Sequence, residues 1–223
     1  MIQSYLNLKE IQKIVGLTLL LSILATLIYF GAEPQLTTAV AATDSVIITL
    51  TVDPGITITS PADASMSRNL GVSVNTAIAT TIWNVKTNNS LGYTLAVKST
   101  STPAMRHANG TDMINNYTEA VATTPETWSV SSGSAEFGYS AFGTDVPTGT
   151  WGTDTDCIAA AHVPSAGLKY VDMLTTDRTI ATRASTTTPT GVDATVCYAV
   201  EQNGFYIPSG TYTATITATA TTL

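Results

Sequence analysis

Nineteen residues from Ile14 to Ala32, IVGLTLLLSILATLIYFGA, carry no charge. A helix apolar on every side belongs in a membrane or a deep core, and about 20 such residues span a bilayer. Lys9 and Lys13 precede the run. That charge order keeps the N-terminal end in the cytoplasm and carries the downstream chain outside. Ala39-Val40-Ala41 supplies the small-residue pattern of a signal-peptide cleavage site, so a mature chain is expected to begin at Ala42. The run is longer than the about 7–15 residues of an ordinary signal-peptide core, so an uncleaved signal anchor is the competing expectation. Cleavage is the preferred reading. Both give a leader at residues 1–41 and an extracytoplasmic domain at residues 42–223, with membrane contact only through the N-terminal segment. Localisation is expected to be extracellular or at the cell surface.

The rest of the chain suits that compartment. Charged residues make up 11% of the sequence, against about 25% in an ordinary soluble domain. The net charge is -7. An acidic surface without a basic stripe repels phosphate, so nucleic acid is not an expected partner. The two cysteines, Cys157 and Cys197, are expected to form a disulfide in an exported chain. The alternative is a pair of buried free thiols.

From Ala42 onward short alternating runs are separated by Gly, Pro, Asn and Ser, which predicts an all-β fold: a single antiparallel β-sandwich, Ig-like or pilin-like, behind the hydrophobic helix. Asp44 to Val52, DSVIITLTV, reads as a first strand with Val46, Ile48, Leu50 and Val52 on one face. Leu70, Val72 and Val74 alternate in a second. Thr80–Thr87 and Gly92–Ser99 read as a hairpin turning at Asn88–Leu91, with Trp83, Val85, Tyr93, Leu95 and Val97 as core. Residues 100–126 read as loop, and Ile158–His162 as one helical turn. Further strands are expected at Trp128–Val130, Glu136–Phe142, Leu168–Leu174 and Ala194–Val200. In the last strand, Gly210–Thr221, Tyr212, Ala214, Ile216, Ala218 and Ala220 face one way and threonines the other.

No motif for catalysis, phosphate or dinucleotide binding is present. His107 and His162 lie far apart in polar stretches. Glu119, Glu126 and Glu136 have no spacing that singles out a glycosidase pair, and Asp154-Thr155-Asp156 reads as an exposed acidic loop rather than a calcium site. No enzyme activity, cofactor or metal is expected. Asn88, Asn109 and Asn116 begin N-x-S/T sequons. Trp128, Tyr139 and Trp151 are the candidates for stacking on a sugar.

Gly92-Tyr93-Thr94-Leu95-Ala96-Val97 resembles the G-W-T-L-x-V strand of WxL-type cell-wall domains. Ser209 to Ile216, SGTYTATI, resembles their closing strand and also the last strand of spore-coat-U-like pilins. The resemblance covers two short strands and implies a bacterial surface β-sandwich. The expected function is a cell-surface structural or adhesive protein, such as a fimbrial or surface-layer subunit. Its expected partners are copies of itself or other surface proteins, joined through the Val46–Val52 strand. A secreted carbohydrate-binding module, with glycans as partners, is the second expectation.

Overall fold

A computed structural model of the chain describes residues 8–31, 43–160 and 162–223. The cleavage motif at Ala39–Ala41 lies outside the described residues. The chain divides into two units, residues 1–50 and 51–223. In the first, α1 spans Leu8–Gly31 with a mean hydropathy of 2.3 in its most apolar stretch and no buried residue. It is long and apolar enough to cross a membrane.

The second unit is mostly β. Its strands are β1 Ile56–Thr59, β2 Thr76–Thr87, β3 Tyr93–Ser99, β4 Met105–His107, β5 Met113–Asn116, β6 Ser134–Gly143, β7 Ile158–Ala160, β8 Val163–Pro164, β9 Val171–Asp172, β10 Arg178–Arg183, β11 Val192–Asn203, β12 Tyr212–Thr213 and β13 Ile216–Thr222. The large sheet runs β1-β2-β11-β6-β5-β4-β12, with β9 also on β6, and curls into a half-barrel. A second sheet runs β10-β3-β13. Pairing is antiparallel except between β5 and β6, which run parallel through Asn115–Glu136 and Asn116–Phe137. The purely antiparallel expectation is corrected there.

One hydrophobic core joins the two sheets. Tyr93, Leu95 and Val97 of β3 and Ile180 of β10 meet Val85, Val196, Tyr198 and Phe137 of the large sheet. The alternation that predicted Trp83, Val85, Tyr93, Leu95 and Val97 as core is correct, since all five are buried. A second cluster, Ile78, Tyr117, Leu168, Tyr170 and the Cys157–Cys197 pair, covers the other face of the large sheet. Central strand β11 is therefore buried on both faces from Ala194 to Val200, which is why ATVCYAV shows no polar alternation.

The predicted hairpin is a corner instead. β2 is flanked by β1 and β11, while β3 pairs with β10 and β13, so the two adjacent strands lie in different sheets. Asn88 and Asn89 fix the corner: Asn88 Nδ2 donates to the Asp53 carbonyl at 2.9 Å and Asn89 Nδ2 to the Leu223 carbonyl at 2.9 Å. Gly92 completes it at φ 88°, where a Cβ would fall 1.9 Å from the Arg183 carbonyl oxygen.

Five other expectations change. Asp44–Val52 forms no strand, and Val46, Ile48, Leu50 and Val52 are 70–89% exposed. Leu70–Val74 reduces to one bridge, Gly71–Val74. Two short strands, β4 and β5, occupy the expected loop at 100–126. The helical turn lies at Thr148–Trp151, while Ile158–Ala160 pairs with Val163–Pro164. The final strand changes sheets midway, β12 pairing with β4 and β13 with β3.

Cys157 and Cys197 form the expected disulfide, with Cα atoms 5.4 Å apart and a separation of 40 positions along the chain. It ties the covering segment to the central strand. Replacing both by alanine is expected to lower unfolding stability by about 3–4 kcal/mol on the chain-entropy account, measured by urea denaturation. A loss below about 1 kcal/mol would show that the cover is held without it.

Candidate functional site

Among the described residues outside the helix, the most exposed apolar run is a single segment. Val46, Ile47, Ile48, Leu50 and Val52 are each 70–89% exposed. Their β-branched character suits a strand, and the run ends at Asp53-Pro54-Gly55. Asn88 holds that end from both sides: Gly55 N–H donates to Asn88 Oδ1 at 2.5 Å and Asn88 N–H to the Gly55 carbonyl at 3.3 Å. Residues 53–55 carry no regular structure of their own and lead directly into β1.

A second group lies on the strap from Tyr117 to Val130, over the outer face of β6. Gly138 permits this, since a Cβ there would meet Tyr117 Cβ at 2.7 Å and Trp128 Cζ3 at 2.9 Å. Trp128 stacks on Tyr117 with ring centroids 4.6 Å apart and meets Tyr170 edge-on at 5.3 Å. Its Nε1 donates to Glu201 Oε2 at 2.6 Å.

Carboxylates pin this strap. Glu136 Oε2 accepts the Thr118 N–H at 3.0 Å, Glu126 Oε1 accepts the Ala120 N–H at 3.0 Å, and Glu119 Oε1 accepts the Asp172 N–H at 2.6 Å. Arg178 Nη2 meets Asp172 Oδ1 at 3.1 Å, and Arg178 Nη1 donates to the Thr123 carbonyl at 2.8 Å. The structure thus brings Glu119, Glu126 and Glu136 around one strap, each accepting a backbone N–H. Burial raises the Glu136 carboxyl, helped by Glu119 and by Glu201 directly across the ladder. Burial, then Glu119, pushes Asp172 up to about 6 despite the Arg178 guanidinium. Sequence spacing had no signal for the Glu119–Asp172 contact, 53 residues apart.

The three stacking candidates do not form a platform. Tyr139 and Trp151 are each 1% exposed and pack against one another in the core, with centroids 5.4 Å apart. Tyr139 points inward from β6, and the Thr148–Trp151 turn carries Trp151 onto it. Trp128 is half-buried with one face taken by Tyr117. The sugar-stacking assignment is corrected for Tyr139 and Trp151 by their burial.

A groove of about 580 Å³ lies elsewhere on the domain, lined by Phe142, Thr148, Asp154, Thr155, Asp193 and Thr195 among others. Asn84 Nδ2 donates to Asp193 Oδ1 at 2.7 Å, and Ser165 Oγ donates to Asp154 Oδ2. Asp156 Oδ1 accepts the Ile158 N–H at 3.0 Å. Among the described residues no three His, Cys, Asp or Glu side chains are grouped to hold a metal ion. His107 packs edge-on against Tyr212, ring centroids 4.9 Å apart.

Comparison with protein-family models, with curated proteins and with solved structures finds no match for this chain.

The raised carboxyls set a pH dependence. Their folded values lie above the unfolded ones, so the native state holds extra protons between about pH 4 and 6. The resulting stabilisation is fully present below the unfolded values and is lost as pH rises through the folded values. The urea midpoint is expected to fall between pH 4 and pH 7, and Asp172→Asn to flatten that fall. A midpoint that rises over this interval would contradict the assignment.

Proposed function

We propose that this is an exported cell-surface structural protein whose subunits associate by strand addition through Val46–Val52. The single observation carrying the reading is that run of exposed, strand-forming apolar side chains just ahead of the β domain. Soluble monomers rarely leave such a contiguous patch uncovered, and an extended segment satisfies its backbone by joining a sheet edge. The apolar helix α1 and the disulfide support export, as a cleaved signal or as an anchor with Lys9 and Lys13 on the cytoplasmic side. The two sheets sharing one core support the β-sandwich reading of the domain. A fimbrial, surface-layer or adhesive role follows from the same arrangement.

The test is assembly. Residues 42–223 are expected to form oligomers or filaments, seen by light scattering and electron microscopy. Deleting residues 42–52 is expected to leave a folded monomer with unchanged circular dichroism. A chain containing 42–52 that stays monomeric at high concentration would overturn the reading.

The groove beside Phe142 favours a second reading, a glycan-binding module. Its hydroxyls, carboxylates and one half-buried ring match the chemistry that holds a neutral sugar. Glycan-array binding that disappears in both Asp154→Ala and Asp193→Ala, with folding intact, would favour it. No binding by the natural chain would remove it.

A further inference from the structure

We infer that Phe205 and Tyr206 form a stacking surface for a neutral sugar chain, at the end of the domain where β11 finishes. This surface is independent of strand addition. It also lies apart from the groove beside Phe142, whose Val192 and Asp193 belong to the opposite end of β11. Both rings follow β11 directly and are 49% and 62% exposed. Outside α1, every other aromatic ring among the described residues is buried or half-buried. Phe205 and Tyr206 thus have the exposure that Tyr139 and Trp151 lack.

Three connections build the surface. The register sets Thr76 of β2 and Glu136 of β6 on either side of Glu201 in β11. The chain before β2, the chain before β6 and the chain after β11 therefore meet at one end of the sheet. Gln202, 3% exposed, joins two of them. Its Nε2 donates to the Gly71 and Val74 carbonyls at 2.8 and 3.2 Å, and its Oε1 accepts the Ile207 N–H at 3.1 Å. Asn203 ties in the third: its Nδ2 donates to the Val130 carbonyl at 2.8 Å, and its carbonyl accepts the Gly133 N–H at 2.6 Å. Gly204 makes the bend at φ 69°, where a Cβ would lie 3.3 Å from Ser132 Oγ and from Gly133 N. The Pro208 carbonyl accepts the Tyr212 hydroxyl at 3.1 Å. A loop fixed at both ends presents its rings with little ordering left to lose on binding.

The chemistry of these connections selects the ligand. Residues 71–75, 131–133 and 203–209 carry no charge, although the chain as a whole is at -7. Arg68 and Glu201, which border them in the chain, are engaged with Thr76 and with the Trp128 indole. An anionic ligand finds no free cation here, and a membrane-surface site sets Lys or Arg beside its aromatic residues. A fully buried ring of this kind covers about 150–250 Å². Two half-exposed rings therefore fall well short of the about 800 Å² per partner of a stable protein interface. A sugar fits both size and chemistry, because its apolar C–H face stacks on a ring while its hydroxyls meet polar groups at the rim. The Tyr206 hydroxyl makes no hydrogen bond among the described residues. Ser73, Ser131 and Ser132 stand exposed on the adjoining connections.

An array of uncharged oligosaccharides, probed with the full chain in a detergent that has no sugar headgroup, tests this. The natural chain is expected to bind at least one of them. Phe205→Ala combined with Tyr206→Ala is expected to weaken that binding at least about tenfold. Circular dichroism and the thermal midpoint are expected to stay unchanged, since both rings are exposed. Tyr206→Phe keeps the ring and is expected to lose less than the double variant. Leu91→Ala removes an exposed apolar side chain elsewhere and is expected to bind as the natural chain does. Binding retained in the double variant would overturn the assignment; if the same binding disappears in Asp154→Ala and Asp193→Ala, the groove reading stands in its place. No binding to any oligosaccharide would overturn the assignment and the groove reading together, and leave strand addition untouched.

Discussion

The ladder of β11 with β2 on one side and β6 on the other is the constraint on which the domain depends. Ten residues of β11 are in register with each neighbour, and the strand is buried on both faces from Ala194 to Val200. A strand so placed needs two covers. Tyr198, Val196 and Val200 face the core shared with the three-stranded sheet. Cys197 and Ala199 face the segment that runs through Cys157, Leu168 and Tyr170. The first cover is a sheet and satisfies its own backbone. The second is mostly irregular chain, and irregular chain over a sheet face must find other partners for its N–H and C=O groups.

That need accounts for the acidic side chains and the disulfide together. Glu119, Glu126 and Glu136 each accept a backbone N–H near the strap, and Glu201 holds the Trp128 indole. Acceptor-only carboxylates suit a loop whose donors have no ladder. Burying several of them together has a consequence: the carboxyls of Glu136 and Asp172 hold protons more tightly than free acids do. The acids read in the sequence as solvated charges are thus partly structural. Except for Glu126, six residues from the Ala120 N–H it accepts, their roles follow from contacts made 18 to 73 residues apart in the chain.

What the sequence disclosed divides along the same line. Local alternation named Trp83, Val85, Tyr93, Leu95 and Val97 as core correctly, because a strand's period is carried by its own residues. Export context and an even cysteine count named the Cys157–Cys197 bond. Pairing between strands was not legible. Asn88–Leu91 has the chemistry of a hairpin turn, yet β2 had both edges filled by β1 and β11, so β3 crossed to the other sheet. Aromatic identity was likewise silent on direction: Tyr139 and Trp151 could stack on a ligand or on each other, and only their placement on β6 and the adjoining turn turned them inward. In the candidate site, the Val46–Val52 alternation was visible, while the exposure of both its faces among the described residues was not.

The exposed run then poses an energetic question. Burying five large apolar side chains is worth about 1.5–3 kcal/mol each, to which the hydrogen bonds of a ladder add modestly. Association opposes this with about 4–15 kcal/mol of lost freedom. The two are comparable, so strand addition between free copies in dilute solution sits near balance. Holding copies at one surface changes the balance without any new contact, by raising the effective concentration of each edge around each donor. A retained α1 would do this through the membrane, and a cleaved one would leave assembly to depend on local abundance outside the cell. The physical fate of the leader therefore bears directly on whether seven residues of strand suffice to join one subunit to the next.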